Sequence, residues 1–364
     1  MTGRSTAGVV RDLDPGVFAF VMATGIVSFA ASVLRLTVVS AALFVLASAG
    51  YVLLLAASAW RFARWRGHFL ADAVSPRGFA LLTFVAASAV LAGRFALAGA
   101  AGVWAVLLAL GALGWLVLGY GIPLGLIADP GRRRRRWGLD LVDGTWFLWV
   151  VGVQSLAVAA LEESRAPAAL TAGALVCWAI GLVLYLLLAA LGLARLLTRP
   201  VTPAELTAPY WVFMGAGAIS VLAGARLLAF PEPARLVPHA LVAGVSLLLW
   251  SFCTWLIPLL VALGVWRHRG GGVPLRYDGE LWSMVFPVGM HAVATGQLGH
   301  ATATGWLVAL GRGEAWAALA VWTLVFLGMV RAWGVDRAGK GARPGRSAGA
   351  GSGDAGARRT WGRG

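Results

Sequence analysis

The segment 281-LWSMVFPVGMHAVATGQLG-299 decides how this chain is read. It has the length and apolar character of a membrane helix, with Pro287 in its interior and a bulky aromatic, Phe286, directly before it. A proline there removes a backbone hydrogen bond and kinks the helix. Lipid-facing helices gain little from such a break, whereas helices lining a cavity often use one. Two readings follow. Phe286 plugs a pore walled by the other helices, or it is a core residue of a kinked packing helix.

Outward from this segment, the composition sets the class. The chain has 364 residues, 60% of them hydrophobic and 12% charged, against about 25% charged in a typical soluble protein. Apolar runs of roughly 20 residues, each long enough to cross about 30 Å of hydrocarbon, recur along nearly the whole length. Ten spans are expected, at 15–34, 38–59, 77–94, 102–126, 143–161, 168–194, 207–229, 238–265, 281–299 and 314–333, with 300–313 left open. The organisation is then a cytoplasmic N-terminal tail (1–14), a ten-helix membrane domain (15–333) and a disordered basic tail (334–364). No cleavable signal peptide is expected, because the first apolar run is full length and no small-residue cleavage site follows it.

The net charge of +15 could suggest nucleic acid, but the positions of the charges argue against it. Only Arg35, Arg94, Arg165, Arg226, Arg235 and Arg312 fall on one side of the expected spans, leaving 24 of the 30 Lys and Arg on the other. By the positive-inside rule both termini are cytoplasmic and the chain sits in the cell membrane. The run Arg132–Arg136 is a topology signal or a contact for anionic lipid. Cys177 and Cys253 each lie within an apolar span, as small core residues do. Nothing in the sequence asks for a cofactor or a metal.

Aligning the odd-numbered spans exposes a repeat. Each opens with an aromatic, Phe18, Phe79, Trp146, Trp211 and Trp282, spaced by 61, 67, 65 and 71 residues. Small residues fill the middle of each span. The recurring unit is a helical hairpin, and an even number of spans per unit makes all five enter the membrane in the same sense. The expected fold is therefore all-α: five hairpins with pseudo-five-fold symmetry around a central pore, odd spans inside and Leu/Val/Ala-rich even spans facing lipid. Counting four residues from each opening aromatic gives Met22, Thr83, Val150, Gly215 and Phe286, of which only Phe286 is aromatic. One ring in a narrow apolar tube can block it, and a hydrophobic constriction can gate by dewetting.

Other candidate pore-lining positions are Thr24, Gly25, Ser28, Ser88, Gln154, Ser220, Gly289 and His291. The glycines equally allow close helix packing, and the hydroxyls could bond their own helices. Arg35, Arg94 and Arg226 stand at corresponding outer ends and could ring the outer mouth, favouring anions, although Glu162 and Glu163 interrupt the ring. No Asp or Glu is expected at mid-depth, which argues against cation pumps and sodium-coupled carriers. His291 is the one titratable group expected deep in its span, as a proton relay, an anion contact or a satisfied packing histidine.

The stretches LDPGVFAFVMATGIVS (13–28) and LWSMVFPVG (281–289) resemble the first and ninth spans of the tellurite-resistance/dicarboxylate transporter family, which includes malate permeases, sulfite exporters and slow anion channels. The resemblance covers all ten spans. It implies five hairpins around a pore, commonly in a homotrimer, and a span-nine phenylalanine that occludes the pore, which here is Phe286. Long regulatory termini with phosphorylation clusters are not seen. The function expected is passage of small anions, of C4-dicarboxylate, sulfite, tellurite or halide type. The alternatives are a proton-coupled dicarboxylate carrier using His291, and an integral membrane enzyme for which Asp140, Asp143 and His268 are the weak candidates.

Overall fold

The computed structural model describes residues 6–128, 138–162, 167–230 and 236–341, with no side-chain environment for Thr6, Pro76 and 335–341. The run Arg132–Arg136, Glu163, Arg165 and Arg235 lie outside the described residues. Every regular element described is helical. After the short α1 (Thr6–Arg11) come α2 (Ala19–Val33), α3 (Thr37–Arg64), α4 (Arg66–Ala73), α5 (Thr83–Leu97), α6 (Ala101–Ala128), α7 (Leu148–Ala160), α8 (Ala168–Thr198), α9 (Trp211–Leu227), α10 (His239–Val265), α11 (Trp282–Ala301) and α12 (Gly305–Gly341).

Burial divides these helices into two groups. Exposed large apolar side chains crowd α3, α6, α8, α10 and α12, for example Val52, Leu116, Leu186, Leu248 and Leu324. On α2, α5, α7, α9 and α11 only Leu97, at the end of α5, is of this kind. Helices that lie against hydrocarbon need apolar surface all along that side, while buried ones need not. Among the buried group α2 packs on α5, α5 on α7, α7 on α9, α9 on α11, and α11 back on α2. Each outer helix packs on the inner helix before it, α3 on α2 through to α12 on α11, and α12 also reaches α2.

Among the described residues, seven helical stretches are long and apolar enough to cross a membrane, fewer than the ten spans expected. The shortfall falls on inner helices. α2 has 15 residues and the apolar stretch Gly144–Ala160 is also short. α11 has 20 residues but carries two histidines, a glutamine, two threonines or serines and a proline, which dilute its hydropathy. A helix enclosed by others can carry such residues.

The ambiguous stretch 300–313 is resolved. α11 ends at Ala301, a tight turn follows with Ala303 at φ 53°, and α12 starts at Gly305. α12 therefore begins nine residues before the expected tenth span. It also runs on to Gly341, so the first part of the segment expected to be disordered is helical.

The inner helices open alike. Asp14 Oδ1 accepts from Gly16 N at 2.7 Å, Asp143 Oδ1 from Thr145 N at 2.8 Å, and Asp278 Oδ1 from Glu280 N at 3.2 Å. Ser75 and Thr207 occupy the same cap position before their own 3-10 turns. Short polar residues suit that place because they can satisfy backbone donors left free at a helix start; the three aspartates do so, while Ser75 and Thr207 make no side-chain capping bond. Four residues after each cap stands an aromatic: Phe18, Phe79, Phe147, Trp211 and Trp282. The sequence register used Trp146 in the third unit. The cap at Asp143 moves it to Phe147, which is buried where Trp146 is only half-buried.

Candidate functional site

With that register, the residues one turn further in are Met22, Thr83, Val151, Gly215 and Phe286, so Val151 replaces Val150. Two cavities bracket this level. The larger, of about 410 Å³, opens at the N-terminal ends of the inner helices and is lined by Phe20 of α2, Thr83 of α5, Leu148 of α7 and Ser283 of α11 among others, with Pro209 from the turn that opens α9. It extends sideways between α3 and α12 to Leu53 and Met329. The smaller, of about 20 Å³, lies toward their C-terminal ends and draws on all five: Ile26, Val90, Val158, Ile219 and Met290 among others. It has room for a single water-sized group.

Phe286 lines neither cavity. Ser283 borders the first and Met290 and Val293 the second, and spacings of three and four residues put Phe286 on that same helix face. It is fully buried, as is Met22, which shares a face with Ile26 and Phe29. Pro287 is turned aside toward α9. A Cβ on Gly215 would come within 2.7 Å of its Cγ, so this glycine makes room for the proline ring. Internal prolines also occur in the outer helices, Pro123 in α6 and Pro258 in α10, so the break alone does not mark a cavity-lining helix.

Most of the polar residues expected to line a pore face outward instead. Thr24 accepts from Trp322 Nε1 on α12 at 3.1 Å. Ser28 and Ser40 of α3 exchange hydrogen bonds with each other's carbonyls at 3.0 and 2.8 Å. Ser88 meets Tyr51 Oη of α3 at 2.8 Å. Gln154 donates to the Trp178 carbonyl on α8 at 3.2 Å, and the Ser220 carbonyl accepts from Trp178 Nε1 at 2.9 Å. A polar group away from water must find a partner, and the outer helices supply it. The glycines serve packing: Gly25 faces Val90 of α5, and Gly289 faces Ile26 and Val27 of α2.

His291 is placed as a partnered packing histidine and not as a cavity-lining one. Its Nδ1 lies 3.0 Å from Glu314 Oε2 on α12 and its Nε2 3.3 Å from Thr254 Oγ1 on α10. Trp250 of α10 stacks on the ring. The side chain borders neither cavity. Glu314 sits more than two turns inside α12, so an acidic residue does lie at depth. A tenth span at 314–333 puts Glu314 at its edge; the earlier start of α12 at Gly305 moves it inward.

The outer charges do not form a simple ring. Arg35 is exposed in the α2–α3 turn, at φ 60°. Arg94 reaches Ser40 Oγ at 3.1 Å and lies over the rings of Phe29 and Phe44 at 5.1 and 5.2 Å. Arg226 pairs with Glu162, Nη2 to Oε1 at 2.8 Å. At the opposite mouth Arg77 bridges Asp14 at 3.0 Å and Glu280 at 3.2 Å. Burial holds the Glu280 carboxyl above its ordinary range; Asp278 adds to this and Arg77 opposes it. Asp143, of the proposed acidic pair, caps an opening turn, and Asp140 lies 3.8 Å from Arg195.

These features define a helical integral membrane protein with a cavity toward each end of its buried inner helices. The chain belongs to the voltage-dependent anion channel family, whose sequence profile matches residues 12–330. That membership places it among membrane anion transport proteins. It is also similar to an uncharacterized membrane protein of Mycobacterium tuberculosis, in strains CDC 1551 / Oshkosh and ATCC 25618 / H37Rv. The identity is 49% over 148 residues, 40% of this chain and 75% of that protein.

Proposed function

We propose that the protein passes small anions along an axis enclosed by α2, α5, α7, α9 and α11, with Phe286 as the plug. Five hairpins related by pseudo-five-fold symmetry are part of this reading, and the closed run of inner-helix contacts supports it. So does the shared opening of each inner helix. The observation that carries it is the pair of cavities, the smaller lined from all five inner helices and the larger from four of them and the opening turn of α9, with fully buried Phe286 on the helix face between the residues that border them. At the level of Phe286 the inner helices present Met22, Thr83, Val151 and Gly215, so this constriction discriminates by size and dehydration. Dicarboxylate, sulfite, tellurite and halide all remain in the class. Lipid covers the outer helices in this reading, both termini face the cytoplasm of the cell, and assembly as a homotrimer belongs to it as well. Purified protein in liposomes should pass at least one anion of a panel of chloride, nitrate, formate, sulfite and malate without a cation gradient. Absence of flux for all of them, in the Phe286→Ala variant too, would end the proposal.

A second reading has one observation behind it. The His291–Glu314 pair lies inside the membrane domain, where ionisable residues usually have a functional reason. In a proton-coupled carrier, anion uptake would follow an imposed pH gradient and lose that dependence in both His291→Ala and Glu314→Gln. A passive path would conduct equally with and without the gradient in all three proteins.

A further inference from the structure

The outer cavity ends at a cluster the proposed path does not explain. Glu162, just after α7, has a side chain only 3% exposed, and Arg226 of α9 holds one of its oxygens. Arg94 of α5 adds a weaker interaction of charge. Glu162 and Arg226 border the cavity, as does Gly93, where a Cβ would sit 3.2 Å from Glu162 Cγ. A side chain there would crowd the carboxylate out of its position.

One guanidinium group thus pairs with the carboxylate and a second lies within range of its charge, and their donors are not used up. Arg226 Nε and Arg94 Nε are both buried and have no hydrogen-bond partner among the described residues. An arginine fork normally offers Nε and Nη together to two oxygens of one anion. At Arg226 only the Nη2 half is taken by Glu162. The remaining lining, Ile26 and Phe29 from α2 and Met290 and Val293 from α11, carries no charge.

We infer that this cluster is an outer anion-binding site in which the Glu162 carboxylate stands as a tethered occupant, displaced in turn by a small monovalent carboxylate or oxyanion. The inference rests on the proposed anion path. The group that leaves when Glu162 swings out or is protonated is chemically a formate ion, so the vacated space and the arginine donors fit one. Held in place, the carboxylate neutralises one of two positive charges and narrows the outer cavity. Once neutral, it leaves both charges to a ligand. The charged groups acting on it are Arg226 from α9, in direct contact, and Arg94 from α5, through its charge. Burial raises the Glu162 carboxyl above its ordinary range while both arginines oppose that. Acidification therefore neutralises this group ahead of an exposed glutamate.

The probe is formate, its binding to purified protein followed by titration calorimetry from pH 7.5 to pH 5. Glu162→Gln should bind about tenfold tighter than wild type at the higher pH, since a competing charge and occupant are gone. Wild-type affinity should climb toward that of the variant as pH falls, while Glu162→Gln stays flat. Adding Arg226→Gln to Glu162→Gln should abolish binding. Where Glu162→Gln folds poorly, Glu162→Asp, one methylene shorter, should show a smaller gain in the same direction. Equal affinities with parallel pH curves would overturn the inference and make the pair a structural brace. Formate binding with no flux in Phe286→Ala would leave the site standing and remove the path. Flux in Phe286→Ala with no effect of Glu162→Gln on binding would do the reverse.

Discussion

Phe286→Ala is expected to raise anion flux through liposome-reconstituted protein by about tenfold or more. A single apolar ring in a narrow tube excludes hydrated ions by leaving no room for their water. Phe286 is fully buried between a water-sized cavity and one of about 410 Å³. Removing the benzyl group joins the two, unless neighbouring side chains collapse into the gap. The substitution also costs stability, about 3–5 kcal/mol by analogy with buried phenylalanines elsewhere. Flux should therefore be normalised to protein that elutes as a single species from a sizing column. Phe286→Leu keeps a branched apolar group at the same place and should give an intermediate rise, and Phe286→Trp none. A well-folded Phe286→Ala protein with wild-type flux would return this residue to the role of a core side chain.

Much of the architecture was readable in the chain because the bilayer permits few solutions. Backbone groups in hydrocarbon must be satisfied within helices, so apolar runs mark the elements. Surfaces facing lipid must be apolar, so Leu-rich runs such as 182–193 mark outer helices. The opening aromatics were visible as a repeat. Their register was not, in one unit, because Trp146 and Phe147 stand side by side and only the capping bond from Thr145 to Asp143 decides between them. The site was less legible than the fold. Polarity in an inner helix is compatible with a lumen or with packing, and here Thr24, Ser88, Gln154 and His291 direct hydrogen bonds to α12, α3, α8 and α10. In a medium without water the nearest neighbouring helix is the better partner, and sequence does not say on which side that neighbour stands. The face left toward the cavities is mostly aliphatic. The arginines followed the same logic: Arg94 and Arg226 found aromatic rings, a hydroxyl and Glu162 rather than one another.

The other large effect is expected on folding, at Gly144. Here the opening turn of α7 lies against the opening turn of α9, and a Cβ on Gly144 would overlap the carbonyl of Pro209 and the backbone nitrogen of Tyr210. The obstruction is main chain, so no side-chain rotation relieves it. Overpacking in a core costs about 1–3 kcal/mol when side chains can shift; pressed against backbone, Gly144→Ala should reach or exceed the top of that range. The yield of monodisperse protein in detergent should fall sharply, and what remains should melt earlier. Gly121→Ala in α6 and Gly244→Ala in α10 serve as references, because nothing lies within 4 Å of a Cβ at either position. Both should be neutral or slightly stabilising, since alanine is the better helix former. The comparison bears on more than one residue. Close approach of these two turns brings Thr145 and Pro209 to the rim of the same inner cavity, which the anion path requires. If Gly144→Ala melted with Gly121→Ala, α7 and α9 would not open side by side, and the inner helices would not enclose a common axis.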